Sequence, residues 1–360
     1  MFKISYNHVL AWRYANDMVD KVDAEIAKVL QPGFSKAVTL GRSPNTFQVN
    51  VMVNPRGYTH WFLNEFRKHK DLRLLLSGST DYLRSVCDMV RMDSPENFIK
   101  LTKRKYDRCY AGQSTIDDFH TIMTHVFVEC GYEIKGFVDQ ESIINGIGLK
   151  VCPYCGQTYI GTVKYQRGSG KLHLAKAQID HFLPKGKYPF LALSYANFIP
   201  SCPSCNLSHK HIEDVMDDQG RMKMMSPYDF DATKFKFEFG LKNGGYMNDD
   251  NIEVKTIFDE STIQNRLLKE GYKSIMGIDK LYEYHNDLVM DILIKKAIGL
   301  TSQQLYYNKG VGIDDAFLKR YISAIYGYEP DPDQDKKRVM SKFIRDIVKQ
   351  VDEIVKKANG

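Results

Sequence analysis

Four cysteines in two closely spaced pairs are the residues of this chain best suited to binding a metal. Cys152 and Cys155 form one Cys-x-x-Cys pair, and Cys202 and Cys205 form the second. Four thiolates at this spacing are typical of a tetrahedral zinc site, in which each pair forms a knuckle and the chain between them forms a loop. Because four ligands fill a tetrahedron, we expect this zinc to stabilise the fold and not to catalyse.

Asp180, His181 and Asn206 lie between these pairs or directly after them and suggest a second kind of chemistry. An imidazole such as His181 titrates near neutral pH and can act as a general base toward water. The Asp180 carboxylate and the Asn206 amide oxygen are hard ligands suited to Mg2+ or Mn2+. Lys185 and Lys210 are candidate phosphate contacts. Hydrolysis of a phosphodiester needs such a base, cation and set of contacts, so these residues predict a nuclease centre.

The first element that must position this chemistry is a hairpin. Residues 159–165 and 171–179 read as two strands around an Arg-Gly-Ser-Gly turn, although residues 175–177 interrupt the alternation of the second strand. This pattern predicts that Asp180 and His181 lie at the end of that second strand.

The second element is a helix after the second cysteine pair. Asn206 and Lys210 are four residues apart in it and are therefore expected to share one face. A zinc that holds this helix against the strand would bring Asp180, His181 and Asn206 together.

The order of these residues resembles the HNH endonuclease family, with its ββα-metal fold. The matching residues are Asp180-His181, Asn197, Cys205-Asn206 and Lys210, in an HNN variant with a four-cysteine zinc site. The resemblance covers about residues 151–212. It implies that His181 is the general base, that Asp180 and Asn206 hold the catalytic divalent ion, and that Asn197 orients the histidine or its loop. The implied products carry 3′-hydroxyl and 5′-phosphate ends, with DNA favoured over RNA as substrate.

Within that span, the run from Asp180 to Lys185 followed by Tyr188-Pro189 is more specifically similar to HNH proteins of bacterial anti-phage systems of the Septu type. That resemblance implies an ABC-type ATPase as protein partner, which would control when the nuclease cuts.

The alternative is a catalytically inactive, zinc-stabilised module that binds nucleic acid or serves as a scaffold. A basic strip beside the motif bears on this choice, since a nuclease needs it to line the cleft, whereas a solvated lysine face does not. The strip consists of Lys164, Arg167, Lys171, Lys176, Lys185 and Lys187. Phosphate contacts of this kind do not distinguish DNA from RNA.

Periodicity outside the motif predicts mainly helical flanking regions and hence an α+β chain. We expect a long helix over about residues 6–30, a strand over residues 47–53, and about four helices over residues 60–131, one of them starting near Ser114-Thr115. A β-hairpin over residues 235–255 and further helices, the last over residues 336–357, should follow. The predicted division is residues 1–148, residues 149–215 for the nuclease module, and residues 216–360.

Composition is that of an ordinary globular protein of 360 residues with a formal charge of +6, which by itself says little about partners. The 7 cysteines suit a metal site better than a disulfide framework, so we expect a cytoplasmic protein. No leader peptide and no membrane span are indicated.

Overall fold

The computed structural model describes residues 1–39, 46–68, 71–98, 115–167, 171–175, 177–243, 248–297 and 315–359. Helix predominates and the strands form small sheets, so the predicted α+β class is confirmed. The α-helices are His8–Val29, Tyr58–Lys68, Asp71–Ser77, Thr80–Asp93, Phe119–Met123, Gln140–Ile147, Ile263–Met276, Ile278–Glu283, Asn286–Ala297, Asp315–Tyr326 and Ser341–Asn359. Two π-helices span Thr124–Tyr132 and Ser204–His209. Short 3-10 helices span Pro189–Leu191, Tyr195–Asn197, Ala232–Lys234, Asp249–Asn251 and Pro332–Lys337.

Nine strands pair into four small sheets among the described residues. The strands are β1 Ser35–Thr39, β2 Thr46–Val51, β3 Thr115–Ile116, β4 Val163–Arg167, β5 Lys171–Ala175, β6 Gln178–His181, β7 Phe198–Ser201, β8 Phe235–Leu241 and β9 Ile252–Phe258. β2 lies between an antiparallel β1 and a parallel β3, whereas β4–β5, β6–β7 and β8–β9 are antiparallel pairs.

The long N-terminal helix was predicted correctly. It begins where the side chain of Asn7 accepts hydrogen bonds from the amides of Val9 and Leu10, the usual role of an N-cap. Residues spaced three or four apart on its inner face are buried, including Ala11, Ala15 and Met18. This face packs against Asp71–Ser77 and the Thr124–Tyr132 π-helix, so the periodicity reports a real core contact.

The expected helix start near Ser114-Thr115 is wrong. Thr115 and Ile116 form β3 and pair with Asn50 and Val51 of β2. The helix starts later, after Asp118, whose carboxylate caps the amide of Thr121. Pairing of Thr115 and Ile116 with β2 therefore places these residues in a strand, and the helix begins only after it.

The hairpin of β4 and β5 is confirmed, but the predicted position of Asp180 at its end needs correction. β5 ends at Ala175 and β6 begins at Gln178, and β6 belongs to a different sheet, where it pairs with β7. The break in alternation therefore marks a change of sheet.

In the C-terminal region, β8 and β9 form the expected hairpin. The last helix begins at Ser341, after the 3-10 helix Pro332–Lys337, and not at residue 336 as predicted. Buried apolar residues of all three predicted segments join one hydrophobic core, so the domain limits remain predictions. In the described part of the chain, no helix has the length and apolar character needed to cross a bilayer.

Candidate active site and candidate metal centre

The four cysteines of the two pairs converge into one buried cluster. The Sγ atoms of Cys152, Cys155, Cys202 and Cys205 all lie within 4.8 Å of one another. A Zn–S distance of about 2.3 Å places neighbouring sulfurs of a tetrahedron about 3.8 Å apart, close to the 4.0 Å between Cys155 and Cys202. Gly156 closes the first knuckle with a φ of +66°, a conformation that favours glycine. The cluster can therefore bind a metal such as zinc, as predicted.

Charge balance also favours a cation at this position. The backbone amides of Gln157 and Cys202 donate to the sulfurs of Cys155 and Cys152, both over 3.4 Å, which stabilises thiolates. Hydrogen bonding with Cys152 lowers the pKa of Cys155 and raises the pKa of Cys205. A bound metal would hold all four sulfurs as thiolates.

The β6–β7 hairpin places Asp180 and His181 beside this cluster. Asp180 pairs with Ile199 and His181 with Phe198, and β7 leads directly into the second cysteine pair. Both side chains are buried. The hairpin thus connects the metal cluster to the predicted catalytic dipeptide.

The ring of His181 is held on two sides. Its Nε2 lies 2.9 Å from the carbonyl oxygen of Ala192, and the rings of Tyr132 and Phe198 pack edge-on against it, with centroids at 4.4 and 5.4 Å. A carbonyl can only accept, so Nε2 carries the proton and Nδ1 keeps a lone pair. Burial lowers the pKa of His181 to about 3, which keeps the imidazole neutral.

Asn197 holds the loop between β6 and β7. Its Oδ1 accepts from the amide of Leu183 over 2.7 Å, and its Nδ2 donates to the carbonyls of Leu183 and Leu191, both over 3.0 Å. The side chain is almost completely buried, so these bonds satisfy loop backbone that water cannot reach. Asn197 thereby orients the loop that carries Ala192, the hydrogen-bond partner of His181.

Lys210 is buried and paired with Asp180, and its predicted role as a phosphate contact stays a prediction. Its side chain is fully buried, and its Nζ lies 3.1 Å from Oδ2 of Asp180 and 2.7 Å from the carbonyl of His181. The hydroxyl of Tyr154 donates to the same carboxylate over 2.5 Å. Burial raises the pKa of the Asp180 carboxyl, while the charge of Lys210 and the bond from Tyr154 act in the opposite direction.

Asn206 lies at the edge of the same region. Its Nδ2 donates to Oε1 of Gln178 over 2.8 Å, which leaves the amide oxygen without a partner among the described residues. The helix that carries it is a π-helix, in which the amide of Lys210 bonds to the carbonyl of Cys205. The side chains of Asn206 and Lys210 both approach β6, but only Asn206 is partly exposed.

Asp180, His181 and Asn206 open onto one cleft of about 440 Å3. Its other walls come from Tyr132, Ile179, Pro184, Lys185, Gly186, Leu207, His211 and Ile212. Tyr132 belongs to the N-terminal region and was not predicted, because nothing in the local sequence indicates a contact with His181. Tyr154 was missed as well, although its position between two cysteines could have suggested it. The rim includes exposed apolar side chains, with Leu207 57% and Ile212 44% accessible.

Lys185 is the predicted phosphate contact that does lie at the cleft. Its Nζ forms an ion pair with Glu133 over 2.6 Å and lies 5.7 Å from the centroid of the Tyr132 ring. Lys187 instead pairs with Asp214 over 3.3 Å. The side chains of the other four members of the basic strip lie outside the described part of the structure, so only Lys185 places the strip at the cleft.

A larger cavity of about 690 Å3 is lined in part by the loop between β6 and β7. Its walls combine Leu183 and Asn197 with residues of the Thr80–Asp93 helix and with four methionines of the C-terminal region, Met216, Met222, Met224 and Met225. Of the four predicted catalytic residues, Asn197 lines this cavity, whereas Asp180, His181 and Asn206 line the smaller cleft, which is therefore the better candidate for chemistry.

Fold and site together define an α+β protein in which a buried four-cysteine cluster that could bind a metal adjoins a cleft lined by an aspartate, a histidine and an asparagine. No family model, curated protein or solved structure matches the chain. The function of the chain is therefore inferred from the geometry of the site.

Proposed function

We propose that the chain is a metal-dependent HNH endonuclease that hydrolyses phosphodiester bonds in nucleic acid. The observation that carries this proposal is the orientation of His181 in the cleft. Because Ala192 holds Nε2–H, the unprotonated Nδ1 is left to accept a proton, and no hydrogen-bond partner for it lies among the described residues. Asp180 and Asn206 line the same cleft with oxygen atoms.

Each side chain has a distinct role in this proposal. His181 takes the proton of the attacking water at Nδ1. Asp180 and the Asn206 amide oxygen would hold Mg2+ or Mn2+, which when bound neutralises charge on the phosphate. Asn197 keeps the loop of Ala192 in place, and Cys152, Cys155, Cys202 and Cys205 hold a structural zinc.

Lys185 is the proposed phosphate contact. In the free protein the ammonium group of Lys185 is paired with the carboxylate of Glu133, so a phosphate must displace this carboxylate. The resemblance to HNH enzymes favours DNA over RNA as the substrate.

A role in bacterial anti-phage defence, in the cytoplasm and with an ABC-type ATPase partner, is part of the same proposal. It rests on the resemblance of residues 180–189 to Septu-type HNH proteins. In the structure this segment comprises the end of β6 and the start of the loop that Asn197 holds, with Tyr188 donating to Asp214 over 3.1 Å. ATP-dependent control of cleavage by such a partner would support this part of the proposal.

The test uses full-length protein, wild type and His181→Ala, with plasmid DNA and structured RNA under Mg2+, Mn2+ or EDTA. Cleavage by the wild type that is lost in EDTA and in His181→Ala is expected. His8→Ala is the matched control, because His8 is exposed and does not line the cleft. Undiminished cleavage by a folded His181→Ala protein would contradict the proposal.

The inactive binding module remains the competing function. The ion pair of Asp180 with Lys210 and the apolar rim of the cleft are the observations that favour it. Zinc-loaded protein that binds nucleic acid tightly, without cleavage under any metal, would establish that alternative.

A further inference from the structure

A residue within or just after each cysteine pair contacts the same carboxylate. Tyr154 lies between Cys152 and Cys155, and its hydroxyl donates to Oδ2 of Asp180 over 2.5 Å. Lys210 follows the second pair, and its Nζ lies 3.2 and 3.1 Å from the two carboxylate oxygens. Two separate segments that a metal would join therefore meet at one cleft residue.

Short connections join these side chains to the proposed metal ligands, through a peptide bond in one case and a backbone hydrogen bond in the other. Tyr154 is the direct neighbour of Cys155, and the backbone amide of Lys210 donates to the carbonyl of Cys205 over 2.9 Å. A shift of either knuckle must therefore move the group that holds Asp180.

The network is buried, which makes it sensitive to displacement. Tyr154, Asp180 and Lys210 are 2%, 4% and 0% exposed, so water cannot replace a lost partner. The buried charges of Lys210 and Asp180 stabilise each other, so a small misalignment of the ion pair leaves both without a partner.

We propose that Tyr154 and Lys210 are positioning residues that couple occupancy of the four-cysteine site to the geometry of Asp180 in the cleft. The zinc then does more than support the fold: it fixes the carboxylate that the divalent ion needs. The consequence for catalysis rests on the proposed nuclease function, whereas the coupling itself does not.

The first test follows the reactivity of buried lysines toward an amine-modifying reagent, read by mass spectrometry, before and after zinc is removed by a chelator. Lys210 labelling is expected to rise at least tenfold. Lys296 is the matched control, because it is buried and paired with Asp352, and both residues are remote in sequence from the cysteines. Its labelling should stay unchanged.

Two results of this test would overturn the coupling. Lys210 that stays protected after zinc loss shows that the knuckles do not control it. Equal exposure of Lys210 and Lys296 shows that the metal supports the whole fold and not this connection. Lysine labelling does not depend on nuclease activity. An inactive wild type would therefore refute the proposed function, whereas the coupling would still be decided by the labelling.

The second test measures how Tyr154→Phe binds Mn2+, from the electron paramagnetic resonance signal of the free ion. The substitution keeps the buried ring and removes only the hydroxyl. Zinc content should stay at the wild-type value, while Mn2+ affinity falls roughly 10- to 100-fold, the usual loss for a partner of a metal ligand. The kcat for cleavage should fall with it, and KM should change less than about twofold.

Tyr159→Phe is the control for this variant, since Tyr159 lies in the same segment but is 61% exposed. It should bind Mn2+ like the wild type. Wild-type affinity in Tyr154→Phe would remove Tyr154 from the network and overturn its positioning role.

Discussion

His181 donates its Nε2–H to the backbone carbonyl of Ala192 over 2.9 Å. This contact selects one tautomer and turns Nδ1 away from the loop, so a backbone atom determines which nitrogen is available for chemistry. Asn197 in turn holds the loop that carries Ala192, through bonds to Leu183 and Leu191. His181 and Asn197 are thus connected through the loop that carries Ala192.

Burial of His181 makes the stability of the protein depend on pH. Its pKa is about 3 in the folded state against an ordinary 6.5, so protonation favours the unfolded chain. The contribution of neutral His181 is fully present above pH 6.5 and is lost as the pH falls toward 3. Between pH 7.5 and 4.5, the wild type should lose about 2.5 kcal/mol more unfolding free energy than His181→Gln. Urea unfolding at both pH values measures this, and parallel losses in the two proteins would contradict it.

Asn197 and Asn206 should differ in what their loss costs. Asn197→Ala leaves buried loop groups unpaired and should lower the free energy of unfolding by about 2–4 kcal/mol. Asn206→Ala removes one bond at a partly exposed position and should cost no more than about 1 kcal/mol, yet weaken Mn2+ binding. Chemical denaturation and Mn2+ titration of both variants separate the two roles, and equal destabilisation would be inconsistent with them.

The ion pair of Lys210 and Asp180 should be costly to break from one side. Lys210→Met leaves an unpaired buried carboxylate and should destabilise the protein by about 3–5 kcal/mol. The double variant Lys210→Met with Asp180→Asn should recover part of that loss, because no buried charge remains. Lys185→Met, which breaks a partly exposed pair with Glu133, should cost about 0–1 kcal/mol. Thermal unfolding of the four proteins tests the order, and a double variant less stable than Lys210→Met would refute the explanation.

Metal content should follow the four clustered cysteines and no other described cysteine. Wild-type protein should contain one zinc per chain, and Cys202→Ser should lose it together with a large part of its thermal stability. Cys87→Ala is the control, because Cys87 is buried but lies outside the cluster, and it should keep the zinc at a cost of about 1 kcal/mol. Elemental analysis and melting curves provide both readouts, and zinc retention by Cys202→Ser would exclude the four-cysteine site.

Local patterns were sufficient for much of this protein. The spacing of Cys152, Cys155, Cys202 and Cys205 predicted the cysteine cluster. Apolar periodicity predicted the first helix and the β4–β5 and β8–β9 hairpins. These features depend on residues close together in sequence, or on a coordination geometry that only such spacing satisfies. The candidate catalytic residues were selected in the same way, by type and order.

Tertiary structure decided which groups those residues contact. The four-residue spacing of Asn206 and Lys210 predicted that both lie on one helix. It could not show that the ammonium group of Lys210 is buried against Asp180. The pairing of β6 with β7, and the packing of Tyr132 from the N-terminal region against His181, were equally beyond local sequence. Sequence spacing determines which side chains share a face of one element, whereas the partner of that face is chosen by burial and hydrogen bonding across the whole chain.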